Sequence, residues 1–309
     1  MNEATTTRTE TEQFSIAPAT GVGAVHLGVT DGATARDFYR DVVGLAELPA
    51  GEDETIAMGA GGEPYVVLHP GADRPVPERT TGLYHLALVL PSRRELARVI
   101  GRLMALRYPN SPTDHVMTKS DYLWDPDGNG IEIYCESPED GEFGFANGMF
   151  VARDASGGLR SGRDPIDLDA LFDELQPGDA LGGPLPEETH MGHVHLHIAN
   201  LAEAVGFYHG LLGFDIMGVA DRWGAAFVSA GGYHHHLGLN TWAGEGAPRA
   251  PRTASGLRRY TVELPDEVAL GAVLGRLREA ETGLDEDDGG ANFRDPSGNL
   301  VRGQLRATR

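Results

Sequence analysis

Apolar residues at every second position mark the strands of this chain. Val25, Leu27 and Val29 alternate with His26 and Gly28, the period-two pattern of a strand with one buried face. A stretch with 3.6-residue spacing follows and then further short alternating runs. The same order of elements appears four times. Val25-His26-Leu27-Gly28-Val29, Phe38-Tyr39 and Val43-Gly44-Leu45 recur 169 positions later as Val194-His195-Leu196-His197-Ile198, Phe207-Tyr208 and Leu212-Gly213-Phe214. Gly82 to Pro91 aligns with Gly256 to Pro265, and Leu96, Ile100 and Leu103 with Leu270, Leu274 and Leu277. Asp125-Pro126-Asp127-Gly128-Asn129 matches Asp295-Pro296-Ser297-Gly298-Asn299. Ser92 and Asp266 stand where helix N-caps are expected.

The predicted fold is therefore α+β, four βαβββ units at about 20–72, 82–136, 190–242 and 255–309. A tail over 1–19, read as disordered, precedes them. A Gly-, Asp- and Pro-rich connection over 137–189 separates the second unit from the third, with one helix expected from Ile166 to Leu175. A single unit cannot bury its sheet face, so the units should pair into two domains.

Comparing the copies shows where chemistry resides. The first strands carry Ala24, His85, His193 and Arg259 at equivalent places; the last strand has Glu132 in unit two but Arg302 in unit four. Glu132 follows the Asp125-to-Asn129 turn and taken alone reads equally as an exposed hairpin residue. Two imidazoles and a carboxylate that leave open positions form the facial set of non-haem Fe(II) oxygenases. His85, His193 and Glu132 supply it if units two and three pair, with one and four pairing without a metal. His26 and His195 match each other even where the site is lost, and are read as facing away from the metal. Cys135 reads as a packed residue.

Composition narrows the partners. The net charge of −21 and a pI near 4.8 argue against a nucleic-acid or anionic-membrane partner, which would need a basic patch. No apolar run is long enough to span a bilayer. The single cysteine excludes an internal disulfide and fits a reducing cytoplasm. A homo-oligomer is compatible with all of this.

These residues resemble the vicinal oxygen chelate superfamily, and within it the type I extradiol dioxygenases. Their signature is a His, a short spacer, an apolar residue, Tyr-x-x-Asp-Pro-x-Gly and a Glu; His115, Tyr122, Asp125, Pro126, Gly128 and Glu132 stand at that spacing. Asp121 departs from it, since the family has an apolar residue there. From about residue 22 the chain is similar to the four-unit bacterial catechol 2,3-dioxygenase branch. The resemblance implies cleavage of a small aromatic diol by O2 at Fe(II), with Mn(II) as an alternative. It implies ligands at His85, His193 and Glu132, with Tyr122 and His115 beside the substrate oxygens. His235 is implied as the acid–base group; His236 stays open as an alternative, since alternation would put His234 and His236 on the other face. In better-known relatives consecutive units pair, which here would leave the last pair only Arg259 and Arg302. A glyoxalase-like isomerase or lyase with His236 as fourth ligand, and a metal-free binding protein conferring resistance, are the alternative functions. Trp124, Trp223, Trp242 and Tyr233 are candidates for an aromatic pocket and at least as readily for the core.

Overall fold

The computed structural model describes residues 13–49 and 54–307. All four units have the order βαβββ. Their helices begin where the sequence supplies caps: Ser92 Oγ accepts from the Glu95 amide and Asp266 Oδ1 from the Ala269 amide. The helices of units one and three widen into π-turns over Phe38–Val43 and Gly206–Leu211.

The units pair as two sheets. In the nine-stranded sheet the first strand of unit two, Gly82–Leu90, runs antiparallel to that of unit three, His190–His197. In the eight-stranded sheet the first strands of units one and four, Gly21–Val29 and Gly256–Leu264, pair in the same way. Units two and three thus share one sheet, and units one and four the other.

Consecutive units are joined by a different device. The Tyr39 hydroxyl, on the π-turn of unit one, donates to Asp125 Oδ2 at 3.2 Å in the turn of unit two. Tyr208 of unit three donates to Asp295 Oδ2 at 2.9 Å in unit four. Each aspartate also accepts from the amide and side chain of the Asn four residues on. The repeated Asp-Pro-x-Gly-Asn turn is therefore a fold element in both copies. Buried apolar residues from all four units form one continuous core.

Two expectations change. Phe14 and Ile16 sit in what reads as tail, yet Ile16 is buried and its amide donates to Gly213 O. The apolar pair docks residues 13–19 on unit three; the remainder of the expected tail lies outside the described residues. The connection is not mostly irregular: Gly141–Ala146, Met149–Asp154 and Leu159–Arg160 form a three-stranded sheet. Its helix is shorter, Leu168–Phe172, because Asp167 caps it and Asp164-Pro165 pairs with Thr113-Asp114 as a strand.

Candidate metal centre

On the nine-stranded sheet Glu132, Ala87 and His193 stand side by side across three adjacent strands. Residues opposite each other point to one face, and His85 shares that face two residues from Ala87. Ala87 has no bulk to fill the row, so the three functional side chains converge above it. His85 Nε2 lies 3.2 Å from Glu132 Oε2, His193 Nε2 lies 3.1 Å from the same oxygen, and the two nitrogens are 3.2 Å apart. Donors at adjacent corners of an ion's coordination sphere, each about 2.1 Å from it, stand about 3 Å apart. The spacing of this set therefore fits a transition-metal ion. All three residues are at most 6 % exposed.

Burial alone would raise the Glu132 pKa, but hydrogen bonds and charge from His193 and His85 outweigh it and hold the carboxylate well below its ordinary value. Burial lowers the His193 pKa, against the opposing pull of Glu132. The set thus presents a carboxylate at Glu132 and a neutral imidazole at His193, the protonation states that bind metal.

Tyr122 lies opposite Glu132 on the neighbouring strand, and its hydroxyl is 2.9 Å from His115 Nε2. The other ring nitrogen of His115 is 2.6 Å from the Gly162 carbonyl. A carbonyl only accepts, so Nδ1 carries the hydrogen; in the neutral ring Nε2 then accepts from Tyr122. Burial lowers the His115 pKa and raises that of Tyr122.

Residues 233–236 precede the strand Leu237–Asn240 rather than belonging to it. Strand alternation does not apply there, and His234 and His235 both line the same cavity. The His235 ring centroid is 4.1 Å from that of His193, and burial drives its pKa well below 6.5. His236 turns elsewhere, with Nδ1 2.9 Å from Ser229 Oγ. His193, His234 and His235 also bring one ligand nitrogen each within 4.8 Å of one another.

His195 corrects an expectation. It does not face away, because residues 193 and 195 are two apart on one strand; its ring lines the cavity 5.0 Å from His85. The cavity, about 450 Å³, also takes Trp124 and Trp242. Tyr233 instead meets Glu136 and the Tyr134 hydroxyl, and Trp223 stacks against Phe150 behind it. The sequence reading missed Phe143, Phe145 and Phe150, which the connection's sheet lays over the site together with Arg163. Asn147-Gly148 between alternating Phe residues was the available signal, a hairpin with both central residues at positive φ.

Comparison with known proteins agrees with this architecture. A Bacillus subtilis (strain 168) protein named catechol-2,3-dioxygenase is 37 % identical over 284 residues, covering 91 % of this chain and 96 % of its own. A crystal structure from the same species superposes at TM-score 0.63 with 14 % identity, over 96 % of this chain and 87 % of that one. Glyoxalase I from Zea mays gives TM-score 0.55 with 15 % identity, over 93 % and 92 %. The two solved structures show a shared fold. Residues 21–133 and 190–302 match one family, and the chain belongs to the Glyoxalase/Bleomycin resistance protein/Dioxygenase superfamily.

Proposed function

We propose that the chain is an extradiol ring-cleaving dioxygenase, inserting both atoms of O2 into a catechol-type aromatic diol at a non-haem Fe(II) centre held by His85, His193 and Glu132. One observation carries the reading: three converging donors on one side, with an aromatic-walled cavity on the other. The 37 % identical relative named catechol-2,3-dioxygenase supports it.

When bound, the metal would supply positions for both diol oxygens and dioxygen and acidify a coordinated hydroxyl. The chain's own residues account for the rest. Phe143, Phe145, Phe150 and Phe227 wall the cavity, stacking on a planar ring and excluding water. Neutral His235 can take the second diol proton at a ring nitrogen, and its depressed pKa makes it return that proton readily. Tyr122, its proton directed to His115, would accept at its oxygen from a substrate hydroxyl. A closed four-ligand site, as a glyoxalase-like reaction would use with His236, finds no support in the His236 position on Ser229.

The test is anaerobic reconstitution with Fe(II), followed by catechol and substituted catechols under an oxygen electrode. Stoichiometric O2 uptake with a yellow ring-opened product is expected. Turnover of a thiol-adduct substrate without O2 uptake would instead make the protein an isomerase or lyase.

A further inference from the structure

A second cavity, about 1300 Å³, lies where the sheet of units one and four meets that of units two and three. Its lining contains six arginines, Arg79, Arg249, Arg252, Arg258, Arg259 and Arg294. This is a quarter of the basic residues of a chain with 25 Lys and Arg against 46 Asp and Glu. Elsewhere the arginines commonly have carboxylate partners, as Arg302 has in Asp287 at 2.6 and 2.7 Å. Among the described residues none of the six has an ion-pair partner. Arg294 donates to the Gly298 carbonyl, and the Arg259 Nε is buried with no hydrogen-bond partner. Asp125, Asp127 and Glu78 also line the cavity, but none forms an ion pair with the six among the described residues, and the arginines outnumber them two to one.

The placement follows from the repeat. His26 stands opposite Arg259 in unit one's sheet as His195 stands opposite His85 in the other. The guanidinium thus replaces a metal-ligand position with a permanent cation. Two glycines make room for neighbouring arginines: a Cβ on Gly28 would lie 2.0 Å from an Arg258 nitrogen, and one on Gly298 would lie 1.5 Å from Arg249 Nε. Burial and mutual repulsion depress the pKa of Arg258 and of Arg294, and burial with Arg259 drives His26 to about 3. Unpaired like charges held together at partial burial lower their energy by gathering an anion.

We propose that this cavity is a binding site for a small organic oxyanion, a carboxylate or a phosphate, gripped by Arg259 and Arg258 inside and by Arg249, Arg252 and Arg294 at the mouth. Guanidinium forks match planar oxyanions with paired hydrogen bonds. Tyr84, Trp124 and Trp242 line this cavity and the metal-side cavity alike, so a flat aromatic portion of the ligand has a surface to lie on. The assignment is independent of the reaction proposed for units two and three.

Calorimetric titration of the full chain with inorganic phosphate and, separately, with phthalate tests it, against chloride at equal ionic strength. Saturable binding of either oxyanion is expected; phosphate alone would identify a phosphate ligand and phthalate alone an aromatic carboxylate. Binding should weaken about tenfold or more in Arg259→Gln and in Arg249→Gln. The second variant, at an exposed position, covers the case where the first fails to fold. Binding should persist in Glu132→Gln, which separates this site from the metal centre. Heats no larger than those of chloride, affinity unchanged in both arginine variants, or binding lost in Glu132→Gln would each overturn the assignment.

Discussion

The two sheets are built from the same parts and differ at the positions equivalent to the His/His/Glu set and to Tyr122. His85 corresponds to Arg259, His193 to Ala24, Glu132 to Arg302, and Tyr122 to Asn292. The frame around these positions is alike: the same antiparallel pairing of first strands, and the same turn aspartate held by a tyrosine from the preceding unit. Chemistry and scaffold are therefore separable here. The fold requires Asp125 and Asp295; it does not require Glu132, since Arg302 occupies the twin position and turns to Asp287 instead.

Exchanging the twin residues gives the largest expected effect. Glu132→Arg should abolish iron retention and lower the rate of catechol cleavage about a thousandfold or more. The converse Arg302→Glu should leave cleavage within about twofold of the parent, because the sites are separate. Metal analysis and oxygen uptake on both variants check this; a comparable loss in Arg302→Glu would break the separation of the two sheets. Next in size, His235→Gln should reduce kcat by about 10²–10³-fold as an acid–base group does, while iron content stays at the parent level. Loss of iron together with activity would make His235 a ligand instead, in the set it forms with His193 and His234.

The scaffold should respond symmetrically. Asp125→Ala removes bonds from Tyr39, the Asp127 and Asn129 amides and the Asn129 side chain. Asp295→Ala removes the matching set from Tyr208 and Asn299. Each should cost about 3 kcal/mol in urea unfolding, leaving buried donors unpaired. A difference between them of more than about 2 kcal/mol would show that one sheet leans on its turn and the other does not.

The repeats made most of this architecture legible in the sequence. Alternation in Val25-to-Val29 and its three counterparts identifies the paired strands, and the absence of the His/His/Glu residues from units one and four indicates which units share a sheet. His85, Glu132 and His193 were legible as a set for that reason. Two parts were not. The Phe143, Phe145 and Phe150 wall lies in a connection with no repeat to compare, and its hairpin was hidden among Gly, Asp and Pro. The place of His195 is hidden because its match to His26 masks its two-residue spacing from His193. That match holds, but it marks a position lining the cavity of each sheet.

The smallest effect concerns a position where unit two departs from its twin and from the family pattern. Asp121 is wholly buried where unit four has the equally buried Ala291. Only one of its oxygens has a partner, Asn110 Nδ2 at 2.7 Å; the other has none among the described residues. Burial pushes its pKa from 3.8 up to about 6, against the hydrogen bond from Asn110. A carboxyl whose folded pKa is raised favours the folded state fully below about pH 4, and that contribution is lost as pH rises through about 6. Near neutrality the ionised side chain should therefore weigh against the fold. Asp121→Asn keeps an acceptor for Asn110 and removes the charge. Its stability advantage over the parent should be small at pH 4 and reach on the order of 1–2 kcal/mol at pH 7.5, less than the full shift because the new amide leaves a buried donor without a partner. Urea midpoints at the two pH values, on either side of the pI near 4.8, measure the difference. An advantage that does not grow with pH would mean that Asp121 is not the strained carboxyl its burial makes it, and that the two sheets tolerate Asp and Ala alike at this position.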